Sequence, residues 1–325
     1  MKKSFLLLII ILISQFLSAQ TTRTVNISSG NLWSSISKDD KEGIINLTIN
    51  GTMDSRDFKL LKDSFPYLAS LNLSNVTVTS YNGTGANSIP DAAFINNKVL
   101  TAFLLPKNLT TVGIDAFNGC ANIVTINFPA SLSTIDVTSF RNFGGLFTVE
   151  ATNSNFSADN GVLFNKTQTE LIQCPVSFSG SYTIPSTITT IKAYSFNNCI
   201  KLTDVVSPGT NALVIEDFAF FGSNLLTNFS TNASTTTVKT SSFESCPKLT
   251  TFNANLVKVG NRSFIGIGLV NFNAKIIELG NISFYGCTKL KDVTFSSPIS
   301  IITYGAFSGC NSLVNAVLPS SVTTI

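Results

Sequence analysis

A short pattern of apolar and polar positions recurs along most of the chain. Each copy reads Phe-x-x-(Cys)-x-x-Leu-x-x-Ile-x-Leu-(Pro), followed by a polar turn and a short apolar close. The starting Phe returns at steps of 20 to 24 residues, with one step of 56, at Phe94, Phe117, Phe140, Phe196, Phe220, Phe243, Phe264, Phe284 and Phe307. A period of this length predicts a solenoid of stacked coils rather than one globular core.

Each repeat predicts one strand and one return arc. The last two apolar residues of the Leu-x-x-Ile-x-Leu segment alternate with polar ones, as in a strand with one buried face. The Phe begins the return arc and is expected to point inward. Because coils stack, we expect a buried ladder of the nine Phe residues and of the cysteines three positions later, at Cys120, Cys199, Cys246, Cys287 and Cys310.

The segment before the regular repeats has its own signals. The residues Leu68, Leu71, Leu73 and Asn75 spell LxxLxLxxN, the leucine-rich repeat signature. The alternating stretch 44–49 predicts a strand in the preceding coil. The chain as a whole is therefore predicted to be a leucine-rich repeat solenoid, rich in β-strand, with a parallel sheet on one face and short helices or turns on the convex side.

Two short helices are predicted in this opening section. Residues 31–36 are expected to form a helix that lays Trp33 over the first coil. Asp54 can accept from the free N–H groups of a helix that runs through Phe58, Leu60, Leu61 and Phe65 and is ended by Pro66.

The chain divides into three predicted parts. Residues 1–20 form a signal peptide, residues 21–80 a capping section with the first leucine-rich repeats, and residues 81–325 the repeat array. The array stops where a coil would turn into its next Phe, so we expect a truncated C-terminus and about eleven coils in view.

The 56-residue step predicts an insertion at about 151–186. The apolar stretches 161–164 and 171–174 flank the polar residues 165–170, which predicts a hairpin. Residues 182–185 then rejoin the array. Insertions of this kind are often part of a binding surface.

The first 20 residues combine Lys2 and Lys3 with an apolar run that ends near Leu17. This run is shorter than the ~20 apolar residues of a membrane span, and small residues follow it, so a cleaved secretory signal is favoured. No later stretch qualifies as a span.

Without the first 20 residues, basic and acidic residues nearly balance, and no run of basic residues stands out. This argues against nucleic acid and anionic membranes as partners.

These motifs resemble the BspA-like leucine-rich repeat family of secreted and surface bacterial proteins. The resemblance rests on AF-x-x-C-x-x-L at Ala116–Ile123 and Ala306–Leu313, on the LP-x-x-x-x-x-I closes and on the inserted GVLFNK…LIQCP unit. It implies a non-catalytic extracellular protein that binds other proteins, host matrix or neighbouring cells, located at the bacterial surface and associated with the outer membrane. Phe143, Ser223 and Ile267 depart from the family pattern by replacing the Cys.

The six cysteines are predicted to be mostly buried free thiols. Their column faces the coil axis, and Cys behaves as a small buried hydrophobe. Cys287 and Cys310 are the one pair in adjacent coils, which leaves them as the single candidate disulfide. Without His and without a close C-x-x-C pair, no zinc site is predicted, and we predict no cofactor.

Catalysis is disfavoured by the same composition. The chain contains no His, which removes Ser-His-Asp and Cys-His arrangements. Asp204 and Asp292 are predicted four coils apart, or ~19 Å, too far for the paired carboxylates of glycoside hydrolysis. We therefore predict that the chain is not an enzyme.

The outward strand positions are the predicted ligand-binding face. Short polar side chains there can both donate and accept hydrogen bonds. The predicted residues are Thr203, Asp204, Thr227, Asn228, Thr251, Asn253, Asn271, Asn273, Lys291 and Asp292. They would bind an extracellular protein or a glycan, although Thr and Asn could also be there only to favour strands and solubility. Two other roles remain open, a spacer that holds a further domain away from the cell and a glycan-degrading β-helix.

Overall fold

The computed structural model describes residues 21–325 and confirms a leucine-rich repeat solenoid of about 13 turns. This exceeds the eleven coils expected, because the N-terminal section and the insertion also contribute turns. Within residues 21–325 no helix is long and apolar enough to cross a membrane. The predicted signal peptide lies outside the described residues.

Three helices, all in residues 32–64, and 24 short strands make up the regular structure of residues 21–325. The helices are α1 (Leu32–Ser35), α2 (Lys38–Lys41) and α3 (Ser55–Ser64). In chain order the strands are β1 (Thr21–Ile27), β2 (Ile44–Met53), β3 (Ser70–Val78), β4 (Ser88–Ile89), β5 (Ala102–Leu104), β6 (Thr111–Val112), β7 (Thr125–Phe128), β8 (Thr134–Ile135), β9 (Leu146–Val149), β10 (Phe156–Asp159), β11 (Val162–Asn165), β12 (Glu170–Gln173), β13 (Ser179–Thr183), β14 (Thr190–Ile191), β15 (Lys201–Ser207), β16 (Leu213–Ile215), β17 (Asn228–Thr231), β18 (Thr236–Val238), β19 (Thr251–Asn253), β20 (Leu256–Val259), β21 (Asn271–Ala274), β22 (Glu278–Leu279), β23 (Asp292–Phe295) and β24 (Asn315–Val317).

Two strands per coil build two kinds of sheet. The Leu-x-x-Ile-x-Leu segments, with their N-terminal equivalents, are the front strands, and they pair in parallel in the orders β1-β2-β3-β5, β7-β9, β13-β15-β17-β19 and β21-β23-β24. The apolar closes are the side strands, in the orders β4-β6-β8 and β12-β14-β16-β18-β20-β22. Each coil therefore passes through one front strand and one side strand. After residue 64 its return arc consists of turns, without helix.

The N-terminal helices are held by buried carboxylates. Asp54 caps α3 in a capping box with Asp57, whose carboxylate also accepts from the backbone N–H groups of Gly30 (2.7 Å) and Leu32 (3.0 Å).

The expectation that Trp33 covers the first coil is wrong. Leu32 is the fully buried residue of α1, whereas Trp33 is 63% exposed and faces the Lys41 ammonium at 3.9 Å.

The repeat phenylalanines form two stacks of rings inside the coils. Neighbouring rings lie 4.6–5.6 Å apart and nearly parallel, from Phe94 to Phe140 and again from Phe196 to Phe307. All are buried except Phe307, which is partly buried. Phe rings from the front strands, such as Phe229 against Phe243 (5.4 Å), pack edge-on into the same stacks.

The insertion interrupts the stack of rings. The insertion forms the antiparallel unit β10-β11-β12, and its strand β12 pairs with the side sheet. The insertion is therefore part of the solenoid rather than a protruding loop. The backbone N–H of Cys174 donates to the Ser195 carbonyl (2.8 Å). In the same way, the backbone N–H of Phe117 donates to the Ser139 carbonyl (2.8 Å). Cys174 therefore occupies the Phe position of its coil, and two hydrophobic clusters meet here, one ending at Leu163 and the other including Val162 and Phe164.

The cysteine column makes hydrogen bonds as well as filling space. The thiols of Cys120, Cys246, Cys287 and Cys310 each donate to the carbonyl of the Phe in the preceding coil, at 3.0–3.1 Å. Ser223 keeps this bond with its hydroxyl, which donates to the Phe196 carbonyl at 2.8 Å. All six cysteines are buried and free, so the candidate disulfide between Cys287 and Cys310 is not formed.

We call the turns around each repeat Phe, from three residues before it to two residues after it, the return face. Residues two positions after the Phe have positive φ in every repeat, as in Asn96 (58°), Gly119 (77°) and Asn198 (54°). At Gly119 a Cβ would lie 2.5 Å from the Asn96 Oδ1 of the preceding coil, so both the conformation and the space favour glycine. Among residues other than glycine, Asn is the one that best tolerates a positive φ.

We expect Phe220→Ala to lower the free energy of unfolding by about 3–5 kcal/mol, because Phe220 is fully buried between Phe196 (4.6 Å) and Phe243 (4.8 Å). Urea unfolding followed by circular dichroism measures this. The matched control is Phe221→Ala at the partly buried neighbouring position, and we expect less than half the loss there. Equal losses would contradict a packing role for the stack.

We expect none of the six thiols to react with a thiol reagent at pH 8 in the native protein, and all six after denaturation. Burial raises the pKa of Cys120 and of Cys246 to about 12, so these two native thiols keep their protons, and burial also keeps the reagent away from all six. The unfolded thiols ionise near pH ~8.5, so this contribution to stability is complete below that pH and is lost as the pH rises towards 12. Four reactive thiols instead of six would reveal a disulfide.

Candidate binding face

The outward side chains of the front strands form columns across successive coils. Register pairs Asp204 with Asn228 and Asn228 with Thr251, and it separately pairs Asn271 with Asp292. These side chains are half-exposed or exposed. The inward neighbours, such as Phe229 and Val293, are buried, so each strand divides into a core side and a solvent side. We call the solvent side the front face.

The predicted residues fall into two groups on this face. Those of the first group lie on or beside β15, β17 and β19, and they are Thr203, Asp204, Thr227, Asn228, Thr251 and Asn253. Those of the second group lie on or beside β21 and β23, and they are Asn271, Asn273, Lys291 and Asp292. No ladder joins β19 to β21, so the two groups belong to separate sheets of residues 21–325.

Each group is organised around one carboxylate. Asp204 accepts from the hydroxyls of Ser181 (3.2 Å) and Thr227 (3.3 Å). Asp292 accepts from the Asn315 amide at 2.6 Å and from the Asn271 amide, in the orientation its neighbours favour, at 2.9 Å. These bonds fix short side chains in place before any partner arrives, which lowers the entropy lost on binding.

The sequence reasoning missed Ser181 and Asn315. Asn315 follows Phe307 by the same eight residues that separate Asp292 from Phe284, so the counting rule would have found it. Ser181 could not be found by counting, because its coil starts at Cys174 instead of a Phe. The amide ladder Asn26–Asn50–Asn75, at 3.1 and 3.2 Å, extends the polar columns to the first three strands.

Exposed aliphatic side chains also lie on the front face, and the sequence reasoning missed the three in its N-terminal half. They belong to three consecutive coils and are Leu104 (52% exposed), Val124 (66%) and Leu146 (44%). Each occupies an outward position that the repeat pattern usually fills with Thr, Asn or Ser. The counting rule would have found Leu104 and Val124, which follow Phe94 by ten and Phe117 by seven residues, the same offsets as other outward residues. It misses Leu146, which follows Phe140 by only six residues. The front face therefore combines an apolar part with longer polar columns.

The two carboxylates of the face do not form an acid/base pair. Asp204 and Asp292 lie in different sheets and are separated by four coil steps, or ~19 Å. Each is instead surrounded by hydroxyl or amide donors. The arrangement provides hydrogen-bonding groups for recognition over an extended surface.

Comparison with known families gives one match. Residues 87–181, 177–274 and 248–325 match the profile described as BspA type Leucine rich repeat region, in six copies. These matches cover more than half of the chain. No curated protein sequence is significantly similar to the chain.

Leucine-rich repeat proteins are among the solved structures that share the fold. A leucine-rich repeat protein from Eubacterium ventriosum superposes with a TM-score of 0.57 at 22% identity, over 88% of this chain and 76% of that one. A leucine-rich repeat protein from Bacteroides ovatus gives 0.54 at 17% identity, over 92% and 87% of the two chains. At these identities the likeness concerns the fold alone.

Proposed function

The chain belongs to the BspA-type leucine-rich repeat family, and we propose that it is a non-enzymatic binding protein, secreted or displayed on the cell surface, that recognises an extracellular protein through its front face. The signal-like first 20 residues support this location. Repeat proteins of this build commonly bind through the extended sheet surface.

The observation that supports this proposal is the composition of the front face. The exposed side chains of Leu104, Val124 and Leu146 lie in the N-terminal half of this face, and ordered columns of Thr, Asn and Ser occupy its later sheets. Exposed apolar side chains next to hydrogen-bonding groups are typical of protein interfaces. Few charges interrupt the columns, so shape and hydrogen bonding rather than long-range steering would set the affinity.

A protein partner is favoured over a glycan on this face. Sugar rings are usually held against exposed aromatic rings, and among residues 21–325 no exposed aromatic side chain lies on a front strand. The exposed aromatics Trp33, Tyr67, Tyr81, Tyr285 and Tyr304 all lie elsewhere.

We expect the triple variant Asn228→Arg, Thr251→Arg and Asn271→Arg to weaken partner binding by about tenfold or more. Long cations at these positions would project from a nearly uncharged surface and would have to be desolvated in the interface. The measurement is biolayer interferometry of the purified chain against a panel of immobilised extracellular matrix proteins. Thermal unfolding of parent and variant establishes that both are folded.

The matched control is Asn211→Arg, Asn281→Arg and Thr288→Arg, which adds the same charge at exposed positions away from the front strands. This control should bind like the parent. If both triple variants lose affinity equally, charge alone is responsible. If neither loses affinity, the front face is not the site, and the insertion at β10–β12 becomes the leading alternative.

A further inference from the structure

A cleft on the return face has the features of a second binding site. It has a volume of about 300 Å³ and is formed by three consecutive coils near the C-terminal end of the array. Its lining includes Arg262, Ile265, Ile282, Tyr285, Tyr304 and Ser308. This volume is at the lower end of ligand pockets and has room for one small ring.

Two tyrosines of the cleft have unoccupied ring faces. Tyr285 is 49% exposed and Tyr304 is 81% exposed. Within the described residues neither ring stacks on another ring, in contrast to Tyr194 and Phe218, which stack on each other at 5.3 Å on the same return face. An exposed aromatic face without a partner is costly to leave in water and suits a flat apolar ligand surface.

The cleft is preformed. The backbone N–H of Ile282 donates to the Tyr304 carbonyl at 2.9 Å, and the N–H of Gly266 donates to the Tyr285 carbonyl at 2.9 Å. These inter-coil bonds hold both tyrosines in the ladder of the return turns. Ile282 has a φ of 58°, which is unfavourable for a β-branched residue and shows that the surrounding turn determines its conformation.

The electrostatics of the cleft indicate an uncharged ligand. Arg262 carries the only formal charge in the lining, and its guanidinium bonds to both oxygens of Glu244 at 2.6 and 3.2 Å. Glu244 is only 8% exposed, so the pair is fixed and close to neutral. The remaining guanidinium hydrogens, the tyrosine hydroxyls and the Ser308 hydroxyl can bond to hydroxyl groups at the edge of a ligand.

We propose that this cleft binds a neutral pyranose ring, as a single sugar or as one unit of a glycan chain. A pyranose has an apolar C–H face for a tyrosine ring and hydroxyls around its edge for the polar rim. A proline ring also fits an aromatic slot, but it offers no hydroxyls to the rim. The site is independent of the front face, because its residues come from the return turns and not from the front strands.

The test is a ligand-observed NMR titration of the purified chain with glucose, galactose, mannose and N-acetylglucosamine, each as monomer and as short oligomers. At least one of these sugars should bind saturably. Tyr285→Ala and Tyr304→Ala should each raise the dissociation constant about tenfold, whereas Tyr285→Phe should change it less than about threefold because the ring is kept. The matched control is Tyr67→Ala, which removes a 63% exposed tyrosine at the other end of the chain and should change nothing.

Three results would overturn the proposal. The first is that none of the neutral sugars binds. The second is that a sugar binds equally well to the parent, Tyr285→Ala and Tyr304→Ala. The third is that a proline-rich peptide binds with this tyrosine dependence and the sugars do not. The front-face triple variant should leave sugar binding unchanged, so failure here and failure of the proposed protein binding are distinguishable.

Discussion

The contact between one coil and the next is the interaction on which this structure depends. A coil of 20 to 24 residues cannot surround its own Phe, so the two faces of each ring are covered by the rings of the adjacent coils at 4.6–5.6 Å. The backbone follows the same rule, since front and side strands find their hydrogen-bond partners one coil away. Local sequence therefore sets the shape of a coil, while its stability comes from its neighbours.

The polar details of the coil serve this stacking. A backbone carbonyl beside the buried Phe needs a donor in a space too small for most side chains. Cys supplies it in four coils and Ser223 supplies it in another, so what these coils share is a compact donor rather than a thiol as such. Where Phe143 replaces the Cys, its ring packs on Phe140 at 5.3 Å and on Phe147 at 5.2 Å.

The repeat pattern was enough to predict the fold class, because period, inward Phe and alternating strand positions all express one geometry. It was not enough to predict which residues escape the core. Trp33 and Leu32 are adjacent, and only the packing of α1 shows that the smaller residue is buried. On the binding face, counting from a Phe located the columns around Asp204 and Asp292. The same counting places Leu104 and Val124 outward, but it does not give how exposed each side chain is, because exposure is a property of the assembled surface.

The coil that begins at Cys174 divides the interior of the protein. With a thiol where a ring should be, the stack ending at Phe140 and the stack beginning at Phe196 have no aromatic contact in the described chain. Cooperativity in a linear array passes only through nearest neighbours, so a weak link limits how far a disturbance can spread. The contacts that cross this junction are polar or mixed instead, such as the Asn198 amide on Asn142 (2.8 Å) and the Arg141 guanidinium over the Tyr194 ring (5.3 Å), so we expect unfolding that starts on one side of the insertion to spread to the other less readily than within either stack.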